Sequence, residues 1–217
     1  MSISTVFFDV GETLIDETRQ WGEWADWLGV PRLAFFAVLG GVIARGEHHR
    51  RVFEICRPGF DYQRETARRM AAGQVEGFSR TDLYPDALPC LETLRDAGFR
   101  IGLAGNQPPS SERWLQAMGL PVDLIASSAS FGVEKPAPEF FTKVSELAGC
   151  PVNGIAYVGD RLDNDALPAI AAGMLGIFIR RGPWGYLQAE WPEAAQATAR
   201  IGSLAELPNL LKELSGY

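Results

Sequence analysis

Apolar positions fall along this chain in two rhythms. Residues 5–10 form a short run rich in Val and Phe, apolar without alternation, which predicts a strand buried on both faces. From Pro85 onward, similar runs alternate with segments of helical spacing. Strands are predicted over 100–104, 124–127, 154–158 and 175–179. Helices are predicted over 87–97, 110–118 with Ser110 as N-cap, 137–147, 163–172 and 204–214, several of them stopped by glycine. Strand and helix in alternation imply a parallel sheet with right-handed crossovers.

Between residues 16 and 82 the pattern changes. Tryptophans stand at 21, 24 and 27, Leu33, Phe36, Val38 and Val42 follow at helical spacing, and polar, Arg-rich segments come next. No strand signal occurs there, so a helical insert is expected. Trp21, Trp24 and Leu28 follow an amphipathic rhythm, and at least two of the three tryptophans are assigned to the insert's own core. His48 and His49, the only histidines, read as a solvated helix face. Arg19, Trp21, Trp24, Arg45, Arg57 and Tyr62 are the insert residues placed as candidates to face a site.

Composition changes this picture little. The 217 residues are 47% hydrophobic and 22% charged, which is ordinary for a globular chain. The net charge of −7 argues against a nucleic-acid backbone or an anionic membrane as partner. It leaves room for a small anionic substrate at a locally positive site. The longest apolar run, 33–44, is too short to span a bilayer. No basic stretch leading into an apolar one marks a signal peptide. Cys56, Cys90 and Cys150 lack metal spacing and read as reduced thiols. A cytoplasmic protein is expected.

In sheets of this type the site lies at the carboxyl ends of the strands. The first strand ends in Asp9, Gly11, Glu12 and Thr13, and the second in Gly105, Asn106 and Gln107. Lys135 and Pro136 follow the third. Asp160, Arg161, Asp163, Asn164 and Asp165 follow the fourth. Asp163 reads as a helix cap or turn residue. Asp9, Asp160 and Asp165 would repel one another if close, unless a cation neutralised them. Oxygen ligands with few protein donors suit Mg²⁺. A bare carboxylate at a strand tip beside Mg²⁺ and a lysine is equipment for nucleophilic catalysis on phosphorus.

VFFDVGETL, GLAGN, GVEKPAPEFF and YVGDRLDNDALPAIAAGM together resemble the four motifs of the haloacid dehalogenase-like hydrolase superfamily. The resemblance implies a three-layer α/β fold, a Rossmann-like parallel sheet of order 5-4-1-2-3, with a helical cap over 16–82 and a core of 1–15 and 83–217. It implies Mg²⁺ and phosphate-ester hydrolysis through an aspartyl-phosphate. On it, Asp9 is the nucleophile, and Lys135 bridges nucleophile and phosphoryl group. Asp9, the Gly11 carbonyl, Asp160 and Asp165 hold the metal. Gly105, Asn106 and Gln107 lie at the substrate, and Thr13 orients the first loop.

Two positions depart from the family pattern. Gly11 stands where phosphatases carry a second Asp, the general acid–base. Gly105 stands where a Ser or Thr hydroxyl is usual. An acid–base group is worth about 10²–10⁴-fold, and one lost donor to developing charge costs about 2.7–4 kcal/mol at worst. Glu12 offers a repair, its carboxyl swinging above Gly11. The alternatives are that it faces solvent or pairs with an insert arginine. A metal-free 2-haloacid dehalogenase and a non-catalytic phospho-ligand binder are the competing functions. The sequence names neither the substrate nor the oligomeric state.

Overall fold

The computed structural model describes residues 3–74 and 77–215. It divides into two compact units, Met1–Asp16 with Ser79–Tyr217, and Glu17–Phe78.

The larger unit is built on a six-stranded parallel sheet. Its strands are β1 (Thr5–Phe8), β2 (Arg100–Gly105), β3 (Leu124–Ser127), β4 (Ile155–Gly159), β5 (Leu175–Ile179) and β6 (Ala199–Ile201). Their order is β3-β2-β1-β4-β5-β6. The expected five-strand order is there, with β6 added beyond β5. That strand has three residues, too few for a period to be read. Every pairing is parallel. All four residues of β1 are buried, as a central strand covered on both faces requires.

Helices over Ala87–Asp96, Ser111–Ala117, Pro138–Ala148, Leu167–Ala171 and Leu207–Ser215 connect and cover the strands. Ser110 precedes its helix as expected, but its side chain makes no capping hydrogen bond. The helix over Gly182–Gln188 escaped the sequence reading because its first residues are Gly-Pro, a turn signal that here opens a helix. The segment Leu162–Ala166 is a π-helical turn ahead of Leu167–Ala171. Asp163 therefore lies inside that turn and is not a cap. Its carboxylate instead accepts from Arg161 and Gln188.

One face of the sheet packs on an aromatic cluster of Phe7, Phe140, Phe141 and Tyr157. Phe141 contacts both Phe140 and Tyr157 edge-on, with ring centres 5.4 and 5.3 Å away. Tyr157 is fully buried, and its hydroxyl donates to the Ala104 carbonyl at 2.6 Å. That bond offsets the cost of burying a phenol.

The smaller unit contains helices Thr18–Leu28, Arg32–Ala44, Arg51–Cys56 and Tyr62–Ala71. Its core is aromatic. Trp24 meets Phe53, Phe60 and Tyr62, and the Arg69 guanidinium lies 4.1 Å from its ring centre. Only Trp24 of the three tryptophans is fully buried. Trp21 and Trp27 are half-buried. Trp27 donates to Glu65 at 3.0 Å. His48 and His49 lie in the turn between Ala44 and Arg51 rather than on a helix. Their rings stack, and His49 also meets the edge of Trp21. Arg19, Arg45 and Arg57 each have a carboxylate of this unit within 4.0 Å. Among the described residues no single helix is long and apolar enough to cross a membrane.

Truncating Phe141, which is fully buried, to Ala should destabilise the larger unit by about 3–5 kcal/mol. Urea unfolding monitored by circular dichroism would measure it.

Candidate functional site

Strand register brings the site together. Phe8 lies opposite Leu103 on one side and Val158 on the other. The next residues along the three strands are therefore Asp9, Ala104 and Gly159, so Asp9, Gly105 and Asp160 emerge on one rim. The Asp9 amide still donates to the Val158 carbonyl at 2.8 Å, which anchors the first loop to β4.

At this rim one lysine meets two carboxylates. Lys135 Nζ lies 2.5 Å from Asp9 Oδ1 and 2.6 Å from Asp165 Oδ1, with all three residues buried. Asn106 positions this lysine through the backbone. Its Oδ1 accepts from the Lys135 amide at 2.8 Å and its Nδ2 donates to the Lys135 carbonyl at 2.9 Å. Asp165 Oδ2 accepts from the Arg161 amide at 3.0 Å. Asp160 is the third acid. One carboxylate oxygen from each of Asp9, Asp160 and Asp165 falls within 4.8 Å of the others.

The electrostatics accommodate another cation. Burial opposes the Lys135 charge, but Asp165 and Asp9 overcome it and hold the ammonium pKa well above the usual lysine range. Burial, then the neighbouring Asp165, Asp9 and Glu12, push Asp160 well up. Burial pushes Asp165 up to about 6, with Lys135 pulling down and Asp9 pushing up. Three buried acids face one lysine. Asp160 Oδ2 is buried and has no hydrogen-bond partner. An orphaned carboxylate oxygen beside two more carboxylates fits a hard divalent cation, and burial of uncompensated charge is otherwise costly.

Gly105 has a steric role here. A Cβ at this position would stand 2.6 Å from Asp9 Oδ1. The missing side chain leaves the space into which the Asp9 carboxylate leans. Gln107 is half-buried, and its carbonyl is 3.5 Å from the Ser128 hydroxyl.

The first loop departs from the solvent-facing alternative for Glu12. Glu12 is 5% exposed, so it does not face solvent. Its φ is +53°, left-handed backbone that a non-glycine residue adopts at a cost of about 1–3 kcal/mol. Its Oε2 accepts from the Tyr84 hydroxyl at 2.6 Å. It packs on Gly182, where a Cβ would lie 2.6 Å from the Glu12 Cβ. Burial, then Glu12, raise the Tyr84 pKa, so the phenol stays a donor. Thr13 is fully buried, with its hydroxyl lacking a hydrogen-bond partner. Its carbonyl accepts from Arg181. Gly11 is half-buried and bridges to Ile15.

Sequence reasoning missed Tyr84 and Asp86. Arg181 is buried, and its guanidinium binds Asp86 Oδ2 at 2.5 Å. The available signal was an arginine shortly after a strand and a Tyr-Pro-Asp directly before a helix, which becomes informative only once the fold brings the two together.

Comparison with known proteins bears on this arrangement. A family model described as haloacid dehalogenase-like hydrolase matches residues 3–173. A glyceraldehyde 3-phosphate phosphatase of Methanopyrus kandleri is 33% identical over 64% of this chain and 62% of its own length. A phosphoserine phosphatase of Thermus thermophilus is 32% identical over 66% of this chain and 57% of its own. The chain thus spans less than two thirds of the length of these curated relatives. A hydrolase structure from Bacillus subtilis, described as bound to magnesium, superposes with a TM-score of 0.72 over 97% of this chain and 99% of that one. At 18% identity that likeness speaks to the fold alone.

Replacing Lys135 by Met leaves the buried acids without their cation and should cost about 3–5 kcal/mol in a chelator, read from urea unfolding, with millimolar Mg²⁺ restoring part of it. Asp86 gives a pH signature. Burial raises its pKa, but hydrogen bonds from Arg181 and Ser203 more than reverse that and hold it below the usual value. Its stabilisation is therefore present above the unfolded-state value and is lost as pH falls through the folded one. Unfolding free energy should fall on acidification less steeply in Asp86→Asn than in the parent.

Proposed function

Since the chain belongs to the haloacid dehalogenase-like hydrolase family, we propose that it hydrolyses phosphate monoesters of small metabolites through an aspartyl-phosphate at Asp9. The observation that carries this reading is the Asp9 carboxylate, 2.5 Å from Lys135 Nζ, with carboxylate oxygens of Asp160 and Asp165 beside it. The phosphatase names of the relatives support a small phosphorylated substrate.

Asp9 Oδ attacks phosphorus, the bond from phosphorus to the ester oxygen breaks, and that oxygen takes its proton from water, since Gly11 offers no acid. Water then attacks the acyl phosphate, returning the carboxylate and releasing inorganic phosphate. Lys135, bound to Asp9 and held by Asn106, neutralises charge on the transferring group. Mg²⁺, held by Asp9, the Gly11 carbonyl, Asp160 and Asp165, would neutralise phosphoryl charge and so let the Asp9 anion approach phosphorus. The helical segment 16–82 stands in the chain where the family carries its cap, and as a cap it would select the substrate.

Glu12 is the nearest replacement for the acid–base group absent at Gly11. Its engagement with Tyr84 supports a different role, as a brace of the loop. A second reading, slow turnover with retention of a phosphorylated ligand, is favoured by the absence of side chains at both Gly11 and Gly105.

Phosphate release from a panel of small phosphate esters, with Mg²⁺ and with chelator, tests the proposal. Asp9→Asn should abolish release, and the chelator should too. Gly11→Asp should raise kcat by about 10²-fold if the missing acid–base group limits turnover. Glu12→Gln separates brace from catalyst: a loss approaching that of Asp9→Asn would identify Glu12 as the acid–base. Halide release from 2-haloacids without metal, in place of phosphate release, would overturn the proposal.

A further inference from the structure

The loop that carries Asp9 is fastened by a residue that none of the chemistry above uses. Arg181 follows β5 and is 8% exposed. Its Nη1 donates to the Thr13 carbonyl at 2.8 Å, and its Nη2 donates to Asp86 Oδ2 at 2.5 Å. Its guanidinium carbon stands 4.1 Å from the centre of the Tyr84 ring. Tyr84 passes the contact on, donating to Glu12 Oε2 at 2.6 Å. Asp86 is held in turn by the Ser203 hydroxyl at 2.6 Å and the Leu204 amide at 3.0 Å. The next residue, Gly182, lies against Glu12. One cation thus ties the Asp9 loop to the segment before the helix Ala87–Asp96, to the end of β5, and through Asp86 to the start of the C-terminal helical segment.

The loop has need of such a fastening. Glu12 sits in left-handed backbone, a conformation that persists only where the surroundings over-determine it. Within the loop, the Glu12 amide donates to the Ile15 carbonyl at 2.7 Å, and the Leu14 and Ile15 amides both donate to the Val10 carbonyl at 3.0 Å. The far end of the loop is held by backbone, the Tyr84 amide donating to the Leu14 carbonyl at 2.9 Å and the Asp16 amide to the Asp82 carbonyl at 2.8 Å, while at Thr13 the hold comes from the Arg181 side chain. Arginine suits the task because its planar fork can bind a carboxylate and a carbonyl while its face stacks on an aromatic ring. A lysine offers only a point charge.

We propose that Arg181 is a positioning residue: by holding the Thr13 carbonyl, the Tyr84 ring and Asp86 together, it sets the loop geometry that aims the Asp9 carboxylate. The catalytic consequence rests on Asp9 being the nucleophile; the fastening of the loop does not. Lys135 and Asn106 are anchored by other bonds, so substrate binding through them survives the loss of Arg181, whereas alignment for attack does not.

The test pairs hydrogen exchange with kinetics on the full chain, for the parent, Arg181→Met, Arg181→Lys and Arg181→Ala with added guanidinium ion. In Arg181→Met the amides of residues 10–15 should exchange at least about tenfold faster while those of β2 and β4 keep their rates. On the phosphate ester best used by the parent, kcat should fall about 10²-fold with KM within about twofold. Guanidinium should restore both properties to Arg181→Ala, and Arg181→Lys should recover them only in part. Unchanged exchange at 10–15, an increase spread evenly over the sheet, or a loss seen wholly in KM would overturn the proposal. Should Arg181→Met fail to fold, the Arg181→Lys variant is judged by the same criteria. If the parent hydrolyses no phosphate ester, the phosphatase reading falls and the exchange measurement alone decides whether Arg181 fastens the loop.

Discussion

The site depends on a single ammonium placed between two carboxylates. Lys135 meets Asp9 and Asp165 at 2.5 and 2.6 Å inside a buried rim. Without it, three acids from two strand ends would share a desolvated space with no ammonium between them. Neutralisation by Lys135 is incomplete, and that incompleteness is chemically useful. One carboxylate oxygen of Asp160 is left buried without a partner, which is where a hard cation is worth most and where a rearrangement of side chains would help least.

Register and packing make this possible at a modest cost. Parallel pairing of β1 with both β2 and β4 brings the three strand ends level. The acids thereby reach one rim without any long loop, and their backbone is anchored by the sheet. Below them, Tyr157 and Phe140 lie under Lys135, with ring centres 5.5 and 5.9 Å from Nζ. An aromatic floor supports a cation that also has carboxylates above it. Asn106 completes the arrangement by spending its amide on the Lys135 backbone.

The first loop is where local preference and tertiary structure conflict. A glutamate stands at +53° in φ, and only surrounding contacts can maintain it. They come from Tyr84, Gly182 and Arg181, residues distant in sequence from Asp9. This conflict lies three residues beyond Asp9, at the rim where the buried acids meet, and stored strain clusters at such sites. One of the partners of Glu12, Tyr84, is 72 residues away along the chain, beyond the reach of any local pattern.

The chain's own pattern determined the alternation of strand and helix, the central place of residues 5–8, and the acids and lysine at the strand ends. Those features follow from local period and from the rule that parallel sheets expose chemistry at their carboxyl ends. Elements shorter than a readable period, such as β6, and a helix opening on Gly-Pro did not announce themselves. Tertiary structure alone decided that Asp163 binds Arg161 rather than capping a helix, that Glu12 turns toward Tyr84, and that Arg181 is buried in a clasp. The physical reason is common to all three: a charged side chain takes its partner from whatever the fold brings within hydrogen-bond reach, and that choice is made by packing across the whole chain rather than by neighbours in sequence.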